Sequence, residues 1–402
     1  MKQRILHYMR EFRARWILLV CMLVVIGANL AAGAYLRTRP ELVERVFVPI
    51  AKTVSSGMRA VANAVPFSIT EAVACVLVLL IGGSVLALLI GGIRALVRRM
   101  CARGAEKATP AQSGEDSAAQ REESESGRGE LLRTVVTLSV AAAVLLSYFN
   151  IAYGFVFSRP TMFELLSLEQ RGHTAEELYE VCVYLSQQAA DARNALPAGS
   201  NPAAFDFDFE KLRDASTEAF ADLQQREPVF AGMIAKPKEV HFSKVMSYMG
   251  IAGMYAPFFS ESSISGDGIA ASIPFTITHE MAHGVMVGRE DEANFAAFLA
   301  TTGAKDTFVR YSGYYRAFMY CTNALYQVDK ELYRQVIKNT NEDVLRDRAI
   351  ESVHVRSYEG VTTAVSEKFN DTFIKATGQE HGIESYGRVV DLILAWYDRY
   401  SY

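Results

Sequence analysis

Charge is absent from residues 16–35 and 134–157, and residues 68–93 carry only Glu71. A helix needs about 20 apolar residues to cross about 30 Å of hydrocarbon, and each run meets that length. The pattern therefore predicts three transmembrane helices. Lys2, Arg4, Arg10, Arg13 and Arg15 precede the first run, as basic residues precede a secretory signal. The run is too long for a signal core, however, and Val20 rather than a small residue precedes Cys21. With two further spans behind it, the first reads as a retained anchor.

Residues 104–129 lack aromatic and branched aliphatic side chains apart from what flanks them, and are rich in Ala, Ser, Gly, Gln and Glu. Such a stretch buries too little apolar area to offset its ordering entropy, so a disordered linker is expected over 104–130. The chain then divides into a membrane region over 1–103, the linker, a third span within 131–157, and one globular domain over 158–402.

Helical periodicity dominates that domain. Thr174 and Glu177 have the form of a capping box, and Leu178, Val181, Cys182, Leu185 and Ala189 follow at helical spacing. Residues 209–225 again read as a helix. Residues 239–242 and 253–256 are the best strand candidates, with Pro257 confining the second to an edge or a strand end. The Gly/Ser/Asp-rich residues 260–272 read as a loop into a helix that Pro274 opens. One long aromatic helix is predicted over 311–338. Two more are predicted over 362–376, stopped by Gly378, and over 385–397.

Charge sets the expected orientation. Five basic residues precede the first span and eight lie between Arg94 and Arg133, so both segments are expected in the cytoplasm. Three crossings then put residues 158–402 outside it. The intervening segment 36–67 also holds five basic residues, but Leu42, Val46, Ile50 and Val54 mark an amphipathic helix along the membrane surface, which tolerates them. A net charge of −4 without a basic stripe gives no footing for nucleic acid. The five cysteines form no CxxC pair and read as buried thiols.

The chemistry concentrates in His279-Glu280-Met281-Ala282-His283. Histidines four apart turn about 400° and share a helix face, so both imidazoles can hold one metal ion. Glu280 then lies beside the ion, placed to polarise a metal-bound water as general base. Ile277, Met281 and Val285 form the apolar stripe that would bury the helix. An open zinc site takes three protein ligands, so a third is expected among Glu290, Asp291 and Glu292, brought round by a turn at Gly284 and Gly288. Glu290 shares a face with Asn294, whose amide is placed to buttress Glu290 or a ligating His. Glu292 is the alternative ligand. His173, His241, His354 and His381 show no ligand spacing. His354, Arg356, Tyr314 and Tyr358 are eligible oxyanion donors, and Glu261 is either a loop residue or a binder of a substrate N-terminus.

Residues 274–283 and 289–295 resemble a bacterial family of membrane-anchored HExxH proteins, domain-of-unknown-function family 3810. Tyr255-Ala256-Pro257-Phe258 with Glu261, the helix over 365–378 and Ser385 through Leu392 agree with it. The Glu-x-x-Ala-Asn run is also similar to that of gluzincin peptidases, which implies Glu290 as the metal-binding Glu. The chain departs from the family at Met286, where glycine is common, and that departure bears on the choice between Glu290 and Glu292. The resemblance implies three transmembrane helices plus a mainly α (α+β) zincin-like metallopeptidase domain. It also implies a Zn2+ site, a peptide or protein substrate, and a multi-pass place in the bacterial cell membrane, for which the basic clusters set the N-terminus in the cytoplasm. The other class of function consistent with these residues is a non-catalytic metal-binding membrane assembly or sensor protein.

Overall fold

Long helices with apolar central stretches make up much of the first 152 residues. The computed structural model describes residues 2–105, 116–376 and 388–400. Helices α1 (Lys2–Arg37), α4 (Ile69–Ala105) and α5 (Asp116–Ala152) contain three stretches long and apolar enough to cross a membrane: Phe12–Arg37, Ile69–Val97 and Glu130–Ala152. Residues 1–32 and 71–148 form one compact unit, and residues 33–70 and 149–402 form the other. Within the first unit Leu79 and Leu88 are 74% and 76% exposed, and among its described residues only Leu19, Leu132, Val136 and Ala143 are buried. Aliphatic surface on that scale suits a lipid solvent.

Two boundaries differ from expectation. The third span was expected to reach residue 157, but α5 stops at Ala152 and Gly154–Ser158 is a 3-10 turn. Phe155, Val156 and Phe157 are buried. The apolar run outlasts the span because its last residues serve a protein core, a distinction composition does not carry. The linker expected to be disordered over 104–130 lies partly outside the described residues, at 106–115, and from Asp116 it is part of α5. Extending a helix from an already formed one needs no new nucleus, so Ala, Glu and Gln suffice there.

The second unit begins with a helical elbow. Helix α2 (Pro40–Leu42) runs through a π-helical turn (Val43–Phe47) into α3 (Val48–Ala64). Beyond α5 come α6 (Met162–Leu165), the capped α7 (Ala175–Asn194) and α8 (Phe209–Arg226). Strand β1 (Lys238–Val240), helix α9 (Ser243–Tyr248) and strands β2 (Gly253–Ala256) and β3 (Glu261–Ser265) follow. The domain closes with α10 (Ile273–Gly284), α11 (Glu290–Thr302), α12 (Thr307–Val328), α13 (Lys330–Asn339), α14 (Glu342–Arg356), α15 (Val361–Ala376) and α16 (Arg388–Tyr400). The expected single helix over 311–338 is two, because Asp329 is extended and caps α13 through Glu331 N and Leu332 N. The stop at Gly378 and the start of the last helix at 385 lie outside the described residues.

Helix α10 sits at the centre, against α8, α11, α12 and the sheet. Its stripe of Ile277, Met281 and Val285 is buried as the spacing requires. Pro274 opens it, and Ser312 accepts from the free amide of Phe275 at 3.1 Å. The sheet order is β1-β3-β2, with β1 parallel and β2 antiparallel to β3. Strand β3 falls where a loop was expected. All five of its residues are buried, so it shows no alternation, and its serines bond to their surroundings, as Ser262 does to Glu280 O at 3.2 Å.

Glu261, on β3, is 1% exposed and fully engaged. It accepts from Lys238 Nζ at 2.8 Å, from Ser68 Oγ at 2.7 Å and from the amides of Ile69 and Thr70, the first turn of α4. It is a structural cap, neither the loop residue nor the substrate binder expected. Burial pushes its carboxyl up, but Lys238, Ser68 and the two amides outweigh this and hold it below its ordinary value. Glu261→Ala leaves the buried Lys238 ammonium with two backbone carbonyls but no counter-charge and is expected to cost about 3 kcal/mol, part of which Lys238→Met restores. With the native pKa lowered, this stabilisation is complete above the ordinary carboxyl value and drains as pH falls through the native one. Thermal unfolding of the wild type and both variants in micelles at several pH values checks this.

Candidate metal centre

Helices α10 and α11 meet at a turn that brings three side chains together. His279 and His283 occupy the last two turns of α10, and Glu290 opens α11, where a negative charge also suits the helix dipole. His279 Nε2 is 3.1 Å from His283 Nε2 and 3.2 Å from Glu290 Oε2, and His283 Nε2 is 3.5 Å from Glu290 Oε1. One ligating atom from each lies within 4.8 Å of the others. Two imidazole nitrogens and a carboxylate around one point are a donor set that fits a divalent cation.

The tautomer of His283 follows from its other nitrogen. Nδ1 is 2.8 Å from Val287 O, an acceptor, so Nδ1 carries a proton and Nε2 is the nitrogen that faces the centre. The Tyr153 hydroxyl donates to the same carbonyl at 3.2 Å and lies 3.1 Å from Nδ1. Burial pulls the His283 pKa down, but the charge of Glu290 and its hydrogen bond outweigh this and raise it to about 9. Burial likewise pushes Glu290 up, and His283 and His279 hold it far below the usual carboxylate range.

Glu280 lies beside this group and outside it. Burial raises its pKa, only partly offset by His279 and His283, and its carboxylate accepts from the backbone amide of Tyr255 on β2. The contact is close: a Cβ on Gly253 would stand 2.7 Å from Glu280 Oε1. Strand β2 therefore needs glycine there.

The alternative third ligand is turned away. Glu292 Oε1 accepts from Met162 N at 3.0 Å and from Arg289 Nη1 at 2.6 Å. Asp291 is buried near Arg388, and burial together with Glu292 raises its pKa to about 6. Asn294 Oδ1 accepts from Tyr320 OH at 3.1 Å, and its buried Nδ2 has no partner among the described residues. No described hydrogen bond joins Asn294 to Glu290 or to either histidine. Of the groups eligible as oxyanion donors, Tyr314 bonds Tyr184, His354 and Tyr358 pair with Asp267, and Arg356 is exposed. His173 pairs with Asp398, and His381 lies outside the described residues.

The turn between the helices departs from the glycine-based one expected. Neither Gly284 nor Gly288 has a positive φ; Met286 does, at 75°. That explains the glycine common at this position in the resembling family. Here Met286 is held in the left-handed region by its own burial and by Arg159 Nη1, which donates to Met286 O at 2.6 Å. Arg159 is itself fixed by Glu44 at 2.6 Å. Arg59, fully buried, donates to Gly284 O and, at 2.7 Å, to Met233 O. Sequence reasoning missed Arg59, Arg159 and Tyr153. One signal was available: Lys52 and Arg59, seven residues apart with Ser55 between, share a helix face opposite the exposed apolar one.

A family model described as "Protein of unknown function (DUF3810)" matches residues 49–394. The chain belongs to this family. Its match begins within the elbow and takes in the last two spans together with the whole histidine–glutamate group. No curated protein and no solved structure matches the chain.

Left-handed backbone costs a side-chain-bearing residue roughly 1–2 kcal/mol. Both Met286→Ala and Met286→Gly remove the buried thioether, but only glycine removes the strain. Met286→Gly is therefore expected to be about 1 kcal/mol more stable than Met286→Ala, measured by thermal unfolding in micelles.

Proposed function

We propose that the protein is a zinc-dependent, membrane-anchored metallopeptidase with a zincin-like domain. The observation that carries this is the convergence of His279, His283 and Glu290, with Glu280 beside them and not among them. A small sheet whose edge strand lies over the Glu280 helix, with a second helix returning Glu290, supports the zincin reading.

His279 Nε2, His283 Nε2 and Glu290 would hold the ion. Bound Zn2+ supplies Lewis acidity and brings the pKa of water toward about 7. Glu280 would take the proton of the attacking water and return it to the leaving amine. The Tyr255 amide and the close approach of Gly253 keep its carboxylate in place for both transfers. Tyr153 and Val287 O fix the ring of His283.

Glu280→Gln is expected to keep about one zinc per chain while losing at least about a hundredfold in peptide hydrolysis. His279→Ala and Glu290→Ala lose the metal, and Glu292→Ala retains it. Zinc content by mass spectrometry and cleavage of a fluorogenic peptide library check all four. Zinc loss in Glu280→Gln equal to that in His279→Ala would remove Glu280 from its role. A wild type that holds zinc and cleaves nothing would favour the non-catalytic assembly or sensor protein.

The domain's side of the membrane belongs to the same proposal. Basic clusters before α1's apolar run and after α4's favour the cytoplasm for both. Of the five basic residues in segment 36–67, Lys52 and Arg59 donate to Ala231 O and Gly284 O, so they serve the domain and not the topology. An alkaline phosphatase fused after Tyr402 is expected to be active, and one fused at Ser117 inactive. The reverse pattern places the domain in the cytoplasm.

A further inference from the structure

We propose that the elbow helix, Pro40 to Ala64, lies in the plane of the bilayer with its uncharged stripe among lipid chains. One side of α3 belongs to the domain: Ala51, Ser55, Arg59 and Ala62 are buried. The opposite side exposes Leu42, Val46, Ile50, Val54 and Val61, between 36% and 54% each. The intervening residues on that side, Pro49, Thr53, Gly57 and Ala60, carry no charge. An aliphatic stripe this long is poorly placed in water, and opposite a charged protein-facing side it has the form of an interfacial helix.

Chain arithmetic identifies the occupant. Two residues separate Pro40 from the span ending at Arg37, and four separate Ala64 from the span starting at Ile69. At no more than about 3.6 Å per residue, the helix ends lie within roughly 11 Å and 18 Å of their spans. Consecutive spans put both ends on the same side of the membrane. A helix of 25 residues is about 37 Å long. A rod of that length, pinned near the bilayer at both ends, lies along the surface. Its domain-facing side is taken, so the stripe faces lipid.

The test uses the full chain in vesicles of phosphatidylethanolamine and phosphatidylglycerol. Trp16 and Trp396, the two tryptophans, are replaced by Phe, and a single Trp is introduced as Ile50→Trp, Val54→Trp or Lys338→Trp. Phospholipid with brominated acyl chains is expected to quench the first two roughly twofold or more and to leave the third unchanged. Quenching at 50 and 54 by aqueous acrylamide instead would show a water-facing helix. Quenching by neither agent would show a protein partner, such as a second copy, on the stripe. Either result overturns the proposal. The readout involves neither metal nor hydrolysis, so it stands or falls apart from the peptidase reading.

Discussion

Three carbonyls at the end of the histidine helix, those of Gly284, Met286 and Val287, hold the architecture together. Each belongs to a turn that leaves its helix through a left-handed methionine, and each is claimed by a donor from far along the chain. Arg59 comes from the elbow, Arg159 and Tyr153 from just beyond the third apolar helix. A buried carbonyl without a donor costs about 1–3 kcal/mol, so the turn keeps its shape only while these remote segments are in place. The position of Glu290 relative to His279 and His283 is set by this turn, and by little else local.

A second polar assembly fixes the other end of α10. Ser272, Tyr315 and Arg316 all bond Glu351, and Ser312 receives Phe275 N. The helix is thus gripped at both termini by groups from other elements while its apolar stripe fills the core. Rigid support of this kind is what a constellation of converging ligands needs, because small displacements weaken metal binding and proton transfer alike.

Much of this was legible in the sequence. The spans, the Thr174 capping box and the stripe on α10 obey local rules of periodicity and capping, and so were readable residue by residue. The histidine pair was readable because helix geometry fixes i and i+4. Strand β3 was not, since Glu-Ser-Ser-Ile-Ser is a strand by virtue of its two neighbours and the bonds its serines make. The role of Glu261 was hidden for the same reason: its partners lie 23 and about 190 residues away. The left-handed Met286 was not readable either, because the donor that holds its carbonyl, Arg159, lies 127 residues away.

The discontinuous make-up of the domain changes what release from the membrane would mean. Residues 33–70 belong to it, and two apolar helices separate them from residues 149–402. A cut between Arg159 and Met162 would therefore separate the rest of the chain from part of its own domain. The fragment would lose Arg59, Arg159 and Tyr153 together, and with them the donors that shape the turn between His283 and Glu290. The wall of that turn thus comes from chain on both sides of the two apolar helices, Arg59 before them and Tyr153 and Arg159 after them.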